Sequence, residues 1–257
     1  MKNSNVAYKC LKDKKIVVTG AASGIGAEIA EYFYYQGSKV IIIDIDEKNA
    51  INLISNLPKR TGLHTPSFFY CDLIDIEAIK NIFSEIYEKF GFLNVLCNNA
   101  GDDNRHNWEE VTSEEWDFYQ GRNLKHQFFC TREFSKYVDI NEGASIICMG
   151  SISYLNGSTG MPSYTTAKSA LIGLVNTMAI LLAPKNIRIN IIQPGWVFTE
   201  KQISKWIDDD ALIEIDSKQI LKGKIMPEEP AKLALFLASS QSIFITKQVI
   251  NVDAGWV

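Results

Sequence analysis

The chain has no Cys-x-x-Cys pair, and its five cysteines, Cys10, Cys71, Cys97, Cys130 and Cys148, are odd in number and widely spaced. Neither a disulfide framework nor a cysteine-based zinc site is indicated, and reduced thiols of a cytosolic protein are the plain reading. Also missing is any uninterrupted apolar run of the roughly 18 or more residues that span a bilayer. Residues Met1 to Lys15 are polar with no hydrophobic signal core, so no membrane contact and a cytoplasmic location are expected. A basic excess is absent too. Lys and Arg number 26 against 30 Asp and Glu, for a net charge of -4 and a pI near 5.5, and nothing recommends nucleic acid as a partner. Lys12, Lys14 and Lys15 read as a solvated rim. Asp208, Asp209 and Asp210 are consecutive, point in different directions on a helix and have no His or Glu arranged beside them, so no metal is expected.

What is present is alternation. Strand-like runs recur at Ile16 to Thr19, Val40 to Ile43, Ser67 to Cys71, Val95 to Asn98, Ser145 to Met149, Ile187 to Ile192 and Gln248 to Val252, with helical patterns between them. Such a chain forms parallel strands joined by right-handed crossovers, and 46% hydrophobic content is ample to cover both faces of a sheet. One α/β domain over residues 1–257 is expected, with a cofactor half about 1–150 and a catalytic and substrate half about 151–257.

The first strand runs directly into Gly20-Ala21-Ala22-Ser23-Gly24-Ile25-Gly26 and then a helix-forming stretch from Ala27 to Gln36. Strand, glycine turn and helix make a dinucleotide-binding unit, in which the backbone approaches a pyrophosphate at the positive end of the helix. Asp44 closes the second strand, where an acid accepts both ribose hydroxyls. It would repel the 2'-phosphate of NADP by roughly 4 kcal/mol, for two charges about 4 Å apart at an effective dielectric of about 20. NAD is therefore the expected cofactor. Asn98 to Gly101 closes the fourth strand, where small residues let the backbone pass close to a ribose, or make an ordinary turn. A helix from Pro162 places Lys168 one turn from Tyr164, with Ser151 upstream, and an ammonium beside a phenol favours the phenolate. The segment Thr199 to Lys224 is the least sheet-like, a lid or an acidic turn between surface helices, with a helical pattern around Ile213 to Leu221.

Thr-Gly-x-x-x-Gly-x-Gly, Asn98-Asn99-Ala100-Gly101, Ser151, Tyr164-x-x-x-Lys168 and Pro194-Gly195 together resemble the short-chain dehydrogenase/reductase family over nearly the whole chain. The resemblance implies a Rossmann-type, doubly wound parallel sheet of seven strands with helices on both faces. It implies Ser151, Tyr164 and Lys168 as a catalytic triad, with Asn123 as a fourth catalytic residue supporting a proton-relay water. Ser151 as a plain strand end and Asn123 as a polar kink are the bland alternatives. Cofactor contacts are implied for Gly20, Ser23, Gly24, Ile25, Gly26, Asp44, Asp72, Asn99, Ala100, Gly101, Tyr164, Lys168, Pro194, Gly195, Val197 and Thr199. Asp72 serves equally as an adenine contact or a helix cap, and Ser23 stands where NADP-preferring relatives often carry a basic residue. Relatives pair through helices matching Trp116 to Val138 and Ser163 to Leu182, with Phe118, Phe128, Phe129, Leu171, Leu174 and Met178 on their faces, which implies a homotetramer.

The stretches Asn98 to His106, Asn123 to Phe129, Gly160 to Lys168, Pro194 to Val197 and Asp253 to Val257 are similar to bacterial aldose 1-dehydrogenases. That narrows the substrate to a sugar, touched by Asp103, His106, Ser151, Ser153 and Trp196, and oxidised at C1 to a lactone. An internal Asp-Arg-His network that stiffens the loop Asp102 to His106 is the equal alternative. Another alcohol, a polyol or a 3-oxoacyl thioester, a non-redox epimerase or dehydratase, and a silent NAD sensor remain rivals.

Overall fold

The computed structural model describes residues 7–257; residues 1–6, part of the polar N-terminal stretch, lie outside the described residues. Strands β1 (Lys15–Thr19), β2 (Lys39–Asp44), β3 (Ser67–Tyr70), β4 (Val95–Asn98), β5 (Ala144–Met149), β6 (Ile187–Pro194) and β7 (Val249–Val252) form one parallel sheet in the order 3-2-1-4-5-6-7. The helices are α1 (Gly24–Tyr35), α2 (Glu47–Asn56), α3 (Ile76–Phe90), α4 (Ser113–Gln120), α5 (His126–Phe134), α6 (Pro162–Leu182), α7 (Glu200–Lys205), α8 (Asp209–Lys218) and α9 (Glu228–Ala238).

The central strands read as nearly continuous apolar runs because both faces are covered. Val17, Ile41, Leu96 and Ile146 pack on one side against Phe83 of α3, Phe134 of α5 and Leu171 of α6. Ile16, Val18, Ile42 and Ile147 pack on the other against Phe33 of α1 and Leu235 of α9. Each such side chain, fully buried, contributes about 1.5 to 3 kcal/mol. Strand order reverses between β1 and β4, and the loops after these strands diverge to opposite faces, leaving a crevice at the carboxyl ends where ligands of open α/β sheets bind.

Three elements differ from the sequence reading. α1 begins at Gly24, inside the glycine turn rather than after it. The expected helix from Trp116 to Val138 is broken: α4 ends at Gln120, a π-helical turn covers Gly121–Lys125, and α5 ends at Phe134. α8 starts earlier than the apolar pattern suggests because Asp208 caps it, accepting from Ala211 N, with Asp209 and Asp210 in the first turn where acids suit the helix dipole. α6 with its 3-10 extension, Pro162–Lys185, is long and apolar enough by length and composition to cross a membrane. Its Leu171, Val175 and Leu182 are instead buried against the sheet.

Candidate active site

A cavity of about 600 Å³ occupies the crevice at the ends of β1, β2, β4, β5 and β6. Gly20, Ser23 and Ile25 form its wall at the start of α1, with Asp44 and Asp72 beyond them and Asn99, Ala100 and Gly101 at the end of β4. Ser151, Ser153, Tyr164 and Lys168 face the other half, closed by Pro194, Gly195, Trp196, Val197 and Thr199 after β6.

The glycine turn fits a dinucleotide. Gly20 has φ +64, and a Cβ there would lie 2.6 Å from Ala100 Cα; one on Gly26 would meet Gly20 O at 2.1 Å. The turn is therefore closed on β4 as tightly as backbone allows. Glutamates sit in the first turns of α2, α3 and α4, whereas α1 has no acid there and Ser23 makes no side-chain cap bond, so the positive end of α1 is left for an anion. Asp44 accepts from Ala22 N (2.9 Å) and Asp46 N (3.0 Å), which leaves two of its four acceptor positions for hydroxyls.

Lys168 is buried, and its Nζ donates to Met149 O at 2.8 Å while lying 5.5 Å from the centre of the Tyr164 ring. Burial lowers its pKa to about 8, with Cys148 and Asp103 opposing. Tyr164 departs from the sequence reading. Desolvation pushes the phenol above its ordinary value, Asp103 adds to this, and the Ser151 hydroxyl, within its hydrogen-bonding reach, pulls it down. The Lys168 ammonium is directed at Met149 O instead. Ser151 follows β5 and also accepts from Ser153 N at 3.1 Å. Ser153 Oγ is buried and has no protein partner among the described residues.

Some of the named residues lie off the cavity wall, and others on it also carry structural contacts. Gly24 and Gly26 are not part of the cavity wall, and Gly26 is required instead by the contact with Gly20 O. Asn99 is taken up as a brace, donating to Thr19 O and Gly20 O at 3.2 and 2.9 Å. Asp72 is not the cap of α3; it accepts from Ile74 N, and Asp75 caps the helix. Thr199 caps α7 by accepting from Gln202 N. Asn123 lies behind the wall in the π-helical turn, accepting from Asp102 N (2.8 Å) and donating to Asp102 O and Tyr119 O, both at 3.0 Å. Both donors and one of the two acceptor positions of its side chain thereby brace the loop after β4. His106 also misses the cavity, stacked on Tyr119 with ring centres 4.8 Å apart.

The loop network exists with other members than Asp-Arg-His. Asp102 pairs with Arg122 and Lys201, and Asp103 binds Lys201 at 2.6 Å and Gln202, both residues on α7. Arg105 lies between Trp196 and Trp206, 5.5 and 4.5 Å from their ring centres. Cavity residues that sequence reasoning did not assign include Lys201, Gln202, His126, Glu214 and Trp256. Only the position of His126 directly after the Asn123 turn offered a signal.

A family profile described as Enoyl-(Acyl carrier protein) reductase matches residues 20–257. The chain is similar to a D-xylose 1-dehydrogenase of Caulobacter vibrioides, with 39% identity over 254 residues, covering 98% of this chain and 99% of that one. It is 34% identical over 250 residues to a 3-oxoacyl-acyl-carrier-protein reductase of Thermotoga maritima, covering 96% and 99% of the two chains. The ligand-free aldohexose dehydrogenase of Thermoplasma acidophilum superposes with a TM-score of 0.83 at 27% identity, over 97% of this chain and 96% of that one.

Proposed function

The chain belongs to the short-chain dehydrogenase/reductase family and is an oxidoreductase acting on CH-OH groups, and from that premise we propose that it oxidises a free aldose at C1 with NAD. The carrying observation is the cavity itself: one continuous space bounded by the glycine turn and Asp44 at one end and by Ser151, Tyr164 and Lys168 at the other. The xylose and aldohexose dehydrogenases among its relatives support a sugar, as do the polar groups on that wall, Asp103, Ser153, Gln202 and Glu214. A substrate with several hydroxyls needs such partners, because each buried group left unpaired costs about 1 to 3 kcal/mol.

The bound nicotinamide supplies a hydride acceptor. Ser151 holds the C1 oxygen, and Tyr164, which must first lose its own proton against the burial that raises its pKa, takes the hydroxyl proton while the C1 hydrogen leaves with its electron pair, giving the lactone. Lys168 supplies positive charge beside the phenol. Asp44 orients the adenosine ribose through its two free acceptor positions, and Trp196, with Arg105 against its ring, offers a flat wall for the sugar.

The test is a panel of aldoses, polyols and 3-oxoacyl thioesters assayed for change in NADH. Turnover of at least one aldose well above the other classes supports the reading; turnover confined to a thioester replaces it with the reductase activity of the Thermotoga relative. In the same assay kcat/KM is expected to favour NAD over NADP at least about tenfold, or 1.4 kcal/mol, because of Asp44. Equal use of the two cofactors would show that Asp44 serves only the backbone of Ala22 and Asp46.

A further inference from the structure

His126 opens α5 immediately after the π-helical turn, is 1% exposed and lines the cavity beside Lys168. Neither ring nitrogen has a protein hydrogen-bond partner among the described residues. Buried polar groups are ordinarily hydrogen-bonded, so this ring stands out. The backbones of Ala100 and Arg122 approach it and favour its protonation without completing a bond. Burial and the Lys168 charge outweigh them and lower its pKa to about 3. The imidazole is therefore neutral at physiological pH, one nitrogen a donor and the other an acceptor.

Its surroundings gather other polar atoms. Gln127, the next residue, donates to Asn123 O (3.3 Å) and Met149 O (3.5 Å), the latter being the carbonyl that accepts Lys168 Nζ. Lys168 is faced by Cys148 from β5, Asp103 from the loop after β4, Tyr164 on its own helix and His126 from α5. An ammonium has three donors, and of these one is accounted for, by Met149 O.

We propose that His126 is a positioning residue for Lys168, its acceptor nitrogen holding a water that the lysine ammonium also binds. No direct bond joins the two side chains, so the link requires a bridge. A water there accepts from the ammonium and donates to the imidazole and to one of the nearby Ala100 and Arg122 carbonyls, three partners, within the two to four that buried waters make. The ring thereby stabilises the charged form of Lys168 against the desolvation that opposes it. This rests on the reading of Tyr164 and Lys168 as the proton-transfer pair, and adds a residue that keeps the lysine charged.

The test measures Lys168 directly. In cofactor-free protein carrying 13C-lysine, the Lys168 Cε resonance, assigned by its loss in Lys168→Met, is titrated in wild type, His126→Leu and His126→Gln. His126→Leu is expected to lower the Lys168 pKa by about half a unit or more, a threefold or greater loss of proton affinity, because the charged form loses an acceptor. His126→Gln, which keeps an acceptor and a donor, should restore most of it, and the high-pH limb of kcat/KM should move in step with the resonance. Equal Lys168 titrations in all three proteins would overturn the proposal, as would equal shifts in both variants. The titration involves no turnover, so an enzyme silent on every aldose would defeat the sugar reading without deciding this one.

Discussion

Burial lowers the Lys168 pKa from 10.5 to about 8, and the same shift fixes its effect on stability. The folded value lies below the unfolded one, so the unfolded chain binds the proton more tightly between them. Destabilisation is fully present below about pH 8, shrinks as pH rises and is gone above 10.5. Its upper size is about 3.5 kcal/mol, from about 2.5 pKa units at about 1.4 kcal/mol each. Lys168→Met removes that destabilisation and loses the bond to Met149 O, for a net gain of about 1 to 2 kcal/mol. Urea denaturation at pH 7 should show the variant more stable than wild type, with the advantage fading toward pH 10.5, while turnover and NAD affinity both fall. A less stable variant at pH 7 would mean that Lys168 is held more favourably than its burial implies. Tyr164→Phe separates chemistry from binding: it keeps the ring in the cavity wall and removes the proton acceptor. Turnover should fall about a hundred- to ten-thousandfold, with NAD affinity within about threefold by calorimetry. Near-normal kcat in that variant would remove Tyr164 from the mechanism.

Elements explain why some of the site was legible and some was not. The strands were readable because runs such as Val40 to Ile43 are β-branched and bounded by Gly or Asp, and their ends place Gly20, Asp44, Gly101 and Ser151 without any knowledge of packing. Tyr164 and Lys168 share a helix, so their spacing alone sets them side by side. Asn123, Asn99 and Thr199 have side chains that could bind a ligand or brace the chain, and the choice depends on backbone brought near from other elements. Lys201 illustrates the limit: it lies 98 positions from Asp103, and only the folded chain shows that it ties α7 to the loop after β4. That tie carries a prediction. Asp103→Ala removes one carboxylate from Lys201 and the acceptor from Gln202 Nε2, leaving Asp102 to hold α7. α7 should open more often, with hydrogen exchange in Glu200–Lys205 faster and KM for the substrate raised several-fold, while NAD affinity, set at the far end of the cavity, stays within about twofold. Unchanged exchange in that helix would show that Arg105, lodged between Trp196 and Trp206, suffices to hold α7 in place.

At the scale of the whole molecule the question is what covers the outer faces of α4 and α6. Of the residues assigned to an interface from the sequence, Leu171 and Met178 are in the core, Phe128, Phe129 and Leu174 are half-buried against it, and Phe118 remains outside at 43% exposure. The apolar surface lies nearby instead. Trp108, in the turn before α4, and Trp116, on α4, are 71% and 38% exposed, and Ile180 and Leu181, at the far end of α6, are 66% and 62% exposed. Trp108, Trp116, Pro162 and Ser163 line one hollow, so the start of α6 continues the surface of α4. Large exposed side chains at both ends of one helix mark a candidate association surface, and a face that meets its own copy across a two-fold axis buries each of them twice. We propose that this face forms the dimer contact of a homotetramer. Light scattering at micromolar concentration should give a tetramer for the wild type, and Trp116→Asp combined with Ile180→Asp, which places charges on that face, should yield smaller species with the far-ultraviolet circular dichroism unchanged. A monomeric wild type would leave these side chains exposed in solution and end the assembly proposal. A tetramer insensitive to the double substitution would move the contact to another apolar patch, of which Ile243 and Phe244, 59% and 95% exposed, are the next candidate.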